Sequence, residues 1–264
     1  MSLCIKEIRD GVGYLIFNNP EKANALSYHM LKEATSILKE LEEHRHVKII
    51  AITGNGKNFC GGADITEMYQ SLDPSYTPSI HDQLTILKNF LDGIYNSSKL
   101  TISIVKGAAM GGGCGIALIP DIIIAEKNSR FGFPEVTIGF IPALVSVPLL
   151  RKFPHHTIKR LMLTGERITA EEAYRLNLID ILYEKIEDIQ EVHEKLVEIS
   201  RRVNGDAIFR TKNLWRILEP MNINLQLDYA LLANYSCRVQ SPYFKKALMN
   251  IIEKKPLPPW QPDE

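Results

Sequence analysis

The sequence has no excess of charge of either sign. Its 264 residues hold 31 lysines and arginines against 31 aspartates and glutamates, with a pI near 7.1. Long polyanions such as nucleic acids are usually met by a basic excess, so that class of partner is disfavoured. Cysteine is scarce and scattered: Cys4, Cys60, Cys114 and Cys237 form no C-x-x-C pair, which fits reduced thiols rather than a disulfide framework. No membrane-length apolar run exists. The longest uncharged stretch of the most apolar region, residues 136–150, is broken by Pro142 and Pro148 and falls short of the roughly 18 residues a span needs. The first residues lack an apolar signal core, and Glu7 and Asp10 argue against an acid-poor transit peptide. A cytoplasmic protein is the expectation. The phosphate signatures G-x-G-x-x-G and G-x-x-x-x-G-K-[ST] are missing, as is the G-x-S-x-G nucleophile elbow.

What is present is ordinary globular material, 45% hydrophobic and 23% charged, enough for one large domain or a domain of about 200 residues with a helical appendage. The neutral total conceals a cationic end, since residues 201–264 hold 10 basic and 6 acidic side chains. That end reads either as a solvated helical face or as a local anion site.

The first half alternates two periods. Residues 12–18 predict a strand closed by Asn18-Asn19-Pro20, and residues 47–53, 101–105 and 122–125 predict three more. Between them, Ser27 can cap a helix carrying Leu31, Ala34, Leu38 and Leu41 on one face, and a second stripe joins Ile80, Leu84, Leu87, Leu91 and Ile94. Strand and helix in alternation predict an α/β fold with mainly parallel strands. Past residue 154 the pattern is helical. Thr169 and Glu172 predict a capping box, residues 186–203 and 225–241 predict helices, and Ser241-Pro242 opens a last one.

Two glycine-rich segments follow strands. One is Phe59-Cys60-Gly61-Gly62-Ala63-Asp64-Ile65, the other runs from Gly107 through Met110-Gly111-Gly112-Gly113-Cys114-Gly115. Backbone N–H groups there can approach a ligand with no Cβ in the way, and two such segments facing each other can form an oxyanion hole; the alternative is tight helix packing. Cys114, at a helix start, reads as a nucleophile or as a small buried apolar residue. His155-His156 reads as a metal pair or, lacking further ligands at suitable spacing, a surface loop. Glu135, alone in the apolar run Phe131-Gly132-Phe133-Pro134-Glu135-Val136, is a proton shuttle if burial raises its pKa, or else an exposed loop glutamate.

On these segments, together with Asn24-Ala25-Leu26-Ser27 and residues 163–173 (Leu-Thr-Gly-Glu-Arg-Ile-Thr-Ala-Glu-Glu-Ala), the chain resembles the crotonase family of enoyl-CoA hydratases and isomerases. The resemblance implies a spiral of ββα turns over residues 1–200, and over residues 201–264 a helical region that builds trimers, often paired as hexamers. It implies an acyl-CoA substrate, no cofactor beyond the coenzyme A carried by that substrate, and no metal. It places the N–H groups of Ala63 and Gly112 in the oxyanion hole, and Lys22, Ala23, Ala25, Ala63, Asp64, Ile65 and Gly112 along the coenzyme A path. Glu135 becomes the general acid/base. Lys245, Lys246, Lys254 and Lys255 are candidates for the nucleotide end of a neighbouring subunit's ligand.

One position departs from the pattern. Hydratases of the family carry a first glutamate where this chain has Gly115. A lone carboxylate suits a Δ3,Δ2 double-bond shift, in which one group removes and returns a proton. Two other readings accompany it. One is a dehydratase acting on carrier-protein-bound acyl groups in polyketide β-branching, which the chain resembles in Ile141-Pro142-Ala143-Leu144 and in the terminal Pro-Trp. The other is a non-catalytic member that binds acyl-CoA or a partner.

Overall fold

The computed structural model describes residues 2–186 and 189–259. It divides into two compact units, residues 1–196 and 197–264.

The first unit begins with a hairpin, β1 (Cys4–Arg9) and β2 (Val12–Phe17), paired antiparallel. Its two-residue turn is Asp10-Gly11, both at positive φ (50° and 79°), the backbone that a tight hairpin demands and that Asp-Gly supplies. Parallel strands β3 (Ile49–Gly54), β4 (Leu100–Val105), β6 (Ile122–Glu126) and β9 (Ile181–Tyr183) complete a six-stranded sheet in the order β1-β2-β3-β4-β6-β9. β3 is buried from Ile49 to Thr53, as expected of a parallel strand covered on both faces. Three-residue strands β5 (Ala108–Met110), β7 (Arg130–Gly132) and β8 (Arg167–Thr169) form a second sheet.

The same step recurs along the chain. After β3 the backbone pairs at Cys60 with Ala109 and then enters α2 (Ile65–Gln70); after β4 it forms β5 and then α4 (Gly112–Leu118); after β6 it forms β7 and then a 3-10 turn (Pro134–Ile138). Each rung thus places one strand in the large sheet, one pairing in the second layer and then a helical turn. This is the ββα spiral that the sequence leads one to expect. The second layer is what stacks the glycine-rich segments on one another.

Helix α1 (Tyr28–Glu43) starts at Ser27, whose hydroxyl accepts the Met30 N–H, and buries Leu31, Ala34, Leu38 and Leu41. The stripe on α3 (Ile80–Tyr95) is buried only over its second half, at Leu91 and Ile94. There α3 lies close to α1, and a Cβ at Gly93 would come 2.9 Å from Leu38 Cδ2. Ile80 and Leu84, both 46% exposed, depart from the expectation because helix packing does not reach them. After α5 (Ala143–Lys152) and α6 (His155–Thr164) comes α7 (Ala170–Arg175). Thr169 caps α7 by accepting the Glu172 N–H, but the Glu172 carboxylate goes to Arg160 at 3.2 Å. Only half of the predicted capping box forms, because the ion pair takes its other member.

Helix α8 (Ile189–Arg202) falls in the predicted 186–203 span, of which residues 187–188 lie outside the described residues. Its His193 Nδ1 is 2.7 Å from the buried Tyr14 hydroxyl. The second unit contains α9 (Gly205–Leu218), which the periodicity missed, then α10 (Ile223–Gln240) and α11 (Pro242–Ile252). Ser241 caps α11 by accepting the Phe244 N–H, with Pro242 at the first helical position. Among the described residues no helix is long and apolar enough to cross a membrane. Trp260, half of the terminal Pro-Trp, lies outside the described residues.

Candidate active site

Two hydrogen bonds join the glycine-rich segments: Cys60 N–H donates to Ala108 O (3.0 Å) and Met110 N–H to Cys60 O (3.0 Å). The approach is close because side chains are missing. A Cβ at Gly62, whose φ is +99°, would sit 2.9 Å from Met110 O, and one at Gly113 would sit 2.6 Å from Cys60 Sγ. Ala63 is bracketed by a parallel bridge to Leu26, formed by Leu26 N–H to Gly62 O (2.7 Å) and Asp64 N–H to Leu26 O (3.2 Å). In that pattern the Ala63 N–H points away from Leu26. Gly112 opens α4, so its N–H has no carbonyl one turn back. Among the described residues neither N–H has an acceptor. Ala63 is exposed and Gly112 half-buried.

Glu135 arrives from the next rung, in the 3-10 turn after β7. Pro134 starts that turn, Gly139 ends it in the left-handed region, and Phe140 N–H donates to Glu135 O at 2.9 Å. The carboxyl lies against the Cα of Gly111, where a Cβ would be 2.9 Å from Oε1. Gly111 itself is held by its N–H on Gly132 O (2.9 Å). Oε2 is buried with no hydrogen-bond partner among the described residues. Burial pushes the carboxyl pKa above its ordinary value of 4.5, only partly offset by a bond from its own N–H. A carboxyl held this way favours carrying a proton and can exchange one with a bound molecule.

Position 115 is filled from elsewhere. Gly115 is buried in α4, and a Cβ there would lie 2.2 Å from Val145 Cγ1 and 2.5 Å from Val145 Cβ. Helix α4, Gly-Gly-Cys-Gly-Ile-Ala-Leu, carries no carboxylate.

The remaining predicted residues line one edge. Lys22 and Ala23 end a 3-10 turn, with Ala23 at φ 51°. Lys22 Nζ is 3.0 Å from Asp64 Oδ2. Asp64 also caps α2, accepting from Thr66 N–H (3.0 Å) and Glu67 N–H (3.2 Å). Burial pushes its carboxyl up, but Lys22 and the Glu67 and Thr66 N–H groups outweigh that and hold it below its ordinary value. Asp64 is thus occupied by the protein itself. Ala25 is half-buried and Ile65 is 62% exposed. Gly61 N–H donates to Ala23 O at 2.8 Å, so the 22–25 edge and the first glycine segment form one surface.

Asn24 was quoted in the motif without a role, yet it fastens this edge. Fully buried at φ 54°, it accepts Asn19 N–H at 2.8 Å and donates to the carbonyls of Asn55, Asn58 and Phe59 at 3.0, 2.8 and 3.3 Å. An αL asparagine in a turn is the signal that could have found it.

The other candidates resolve plainly. Cys114 is fully buried, and burial raises its thiol pKa further still, so it is the small apolar residue and not a thiolate. Cys60 is pushed up to about 12 by burial. His155 and His156 are exposed in the first turn of α6 rather than in a loop, since Pro154 initiates the helix there. Among the described residues no group of His, Cys, Asp and Glu is arranged to hold a metal ion. Lys245 and Lys246 are exposed on α11, and Lys255 pairs with Glu253 at 2.7 Å.

The residue pattern of enoyl-CoA hydratase/isomerase proteins matches residues 7–257. A protein of Thermus thermophilus bearing an enoyl-CoA hydratase name is 31% identical over 93% of this chain and 96% of its own. The 2,3-dehydroadipyl-CoA hydratase of Escherichia coli is 30% identical over 69% of this chain and 70% of its own. Among solved structures, an enoyl-CoA hydratase from Shewanella pealeana superposes with a TM-score of 0.89 at 25% identity, covering 98% of this chain and 96% of that one. An enoyl-CoA hydratase/isomerase from Marinobacter aquaeolei gives 0.87 at 27% identity, covering 100% and 99%.

Proposed function

The chain belongs to the enoyl-CoA hydratase/isomerase family, and from that premise we propose that it shifts the double bond of a 3-enoyl-CoA to the 2-position with Glu135 as its one acid/base. The observation that carries this reading is the Glu135 carboxyl itself: one oxygen buried without a partner, the pKa raised, and no second carboxylate at position 115, whose space Val145 fills. The thioester oxygen accepts hydrogen bonds from the Ala63 and Gly112 N–H groups. Glu135 takes a proton from C2, and the electron pair of that C–H bond delocalises onto the oxygen as an enolate. Collapse of the enolate forms C2=C3 while Glu135 returns the same proton to C4. Donors fixed in the backbone act on charge that develops only as the proton leaves, which lowers the barrier rather than merely tightening binding.

The coenzyme A portion runs along the 22–25 edge and residues 63–65. Lys22, with its side chain 59% exposed, supplies positive charge there to a ligand rich in phosphate, which a neutral protein must provide locally. The second unit supports assembly of identical chains into a trimer or hexamer, because α10 exposes Leu225, Leu227, Leu231, Leu232 and Tyr235, an apolar display large for a lone monomer.

A second reading, reversible hydration of a 2-enoyl-CoA, is favoured by the hydratase names of the relatives. Ultraviolet absorbance of the conjugated thioester separates the two. The isomerase reading expects absorbance to rise with a 3-enoyl-CoA and to stay nearly constant with a 2-enoyl-CoA. Rapid loss from the 2-enoyl-CoA together with no gain from the 3-enoyl-CoA would replace it with hydration, and neither change with measurable binding would refute both.

A further inference from the structure

Gly115 and Val145 are thirty positions apart in sequence and interlock in space. Gly115 lies one turn beyond Gly111, the N-cap of α4, with Gly115 N–H donating to Gly111 O at 3.0 Å. Glu135 lies against Gly111 and Val145 against Gly115. The contact at 115 leaves no room for a side chain of any size. Alanine would meet not only the Val145 methyls but also Val145 Cβ at 2.5 Å, a distance that rotation of the valine does not relieve.

Nor is α5 free to retreat. Val145 and Leu149 are buried within it, and at its end Lys152 Nζ donates to Leu118 O at 3.0 Å, where α4 finishes. The valine side chain therefore occupies, from a different element, the volume that a side chain at position 115 of α4 would need.

We propose that Val145 is the residue that restricts this site to single-carboxylate chemistry: its side chain takes the space of any group at position 115, one turn beyond the glycine on which the Glu135 carboxyl rests. The inference rests on Glu135 being the acid/base. Hydration places the hydroxyl of a water on C3 and its proton on C2, and it needs a polar group to orient that water while Glu135 handles the other carbon. An apolar wall at 115/145 withholds it. Val145 acts on which reaction follows enolate formation, not on whether the enolate forms.

The test compares V145G, G115A, G115E, G115A/V145G and G115E/V145G, read by thermal midpoint and by two rates: absorbance loss from a 2-enoyl-CoA and absorbance gain from a 3-enoyl-CoA. G115A and G115E are expected to lower the midpoint sharply in the wild-type background and far less in the V145G background, the coupling expected of residues in contact. V145G alone raises the hydration-to-isomerisation ratio several-fold by admitting water, and G115E/V145G raises it about tenfold or more. A G115A protein as stable as wild type overturns the proposal. So does G115E hydrating as fast as the double variant, or a folded V145G with the wild-type ratio. E135Q in the wild-type background is measured alongside: turnover surviving there refutes Glu135 as acid/base, while the midpoint coupling still reports on the 115/145 contact. The two failures are thereby distinct.

Discussion

The carboxyl of Glu135 rests on the backbone of Gly111, so that a methyl group there would come 2.9 Å from Oε1. Gly111 also holds φ 53° and ψ −125°, a conformation that L-residues with side chains rarely adopt. Gly111→Ala is therefore expected to cost about 1–3 kcal/mol of stability from backbone strain and to displace the acid/base. Turnover measured on the folded fraction should fall far more than thioester binding. A variant with wild-type kcat would show that the contact does not set the Glu135 position.

Glu135→Gln keeps the shape of the side chain and removes the transferable proton. A fall in kcat of roughly 10²–10⁴ is expected, the usual worth of a general acid/base, with acyl-CoA affinity nearly unchanged. In the proposed reaction the carboxyl accepts the C2 proton and must be ionised to do so, so kcat/KM should drop on acidification through a pKa above 4.5. An acid limb at or below 4.5 would point to a different base.

The same raised pKa predicts a pH-dependent stability. Between 4.5 and the folded-state value the native protein binds more protons at Glu135 than the unfolded chain does, so stability from this group falls as pH rises through that window. Glutamine has no such penalty. Glu135→Gln should accordingly melt higher than wild type at neutral pH, with the difference shrinking as the pH falls toward 4.5. Melting curves of the two proteins that stay parallel from pH 4.5 to pH 8 would contradict the burial of this carboxyl.

Gly112→Pro deletes one hole donor at the first position of α4, where proline is tolerated and no intrahelical bond is lost. The expected result is a folded protein with kcat reduced about 10²–10³ and a far-ultraviolet spectrum like that of wild type. Full activity in that protein would remove Gly112 N–H from the mechanism.

Asn24→Ala should strip the buried partners of Asn19, Asn55, Asn58 and Phe59. A loss of about 2–4 kcal/mol is expected, the range for leaving several buried polar groups unpaired, and the midpoint of chemical denaturation measures it. The ligand edge at residues 22–25 should loosen with it, raising KM for acyl-CoA more than it lowers kcat.

Strands β2, β3, β4 and β6 of the large sheet and helix α1 were legible because each carries its own periodicity or cap: Ser27 before Leu31, Ala34, Leu38 and Leu41 is such a case. The glycine runs offered backbone donors, and the resemblance singled out Ala63 and Gly112, whose N–H groups have no acceptor among the described residues. The rest depended on contacts that local patterns do not encode. β5, β7 and β8 are three residues each, too short to show a period of two. The hairpin partner β1 went unread although Asp10-Gly11 is a turn signal. The capping box at Thr169 was overridden by Arg160, which arrives from another helix. Gly115 was read as a missing glutamate; that its place is taken by Val145 is a tertiary fact linking two helices.

The hydrogen bonds between Cys60 and residues 108–110 tie the segments carrying the Ala63 and Gly112 N–H groups together through the peptide skeleton alone. No side-chain replacement at Ala63 other than proline removes its N–H. The groups at positions 135 and 145 are side chains instead, so a single codon there replaces the group itself. Donors of the first kind are altered only by changing the backbone, groups of the second kind by any substitution.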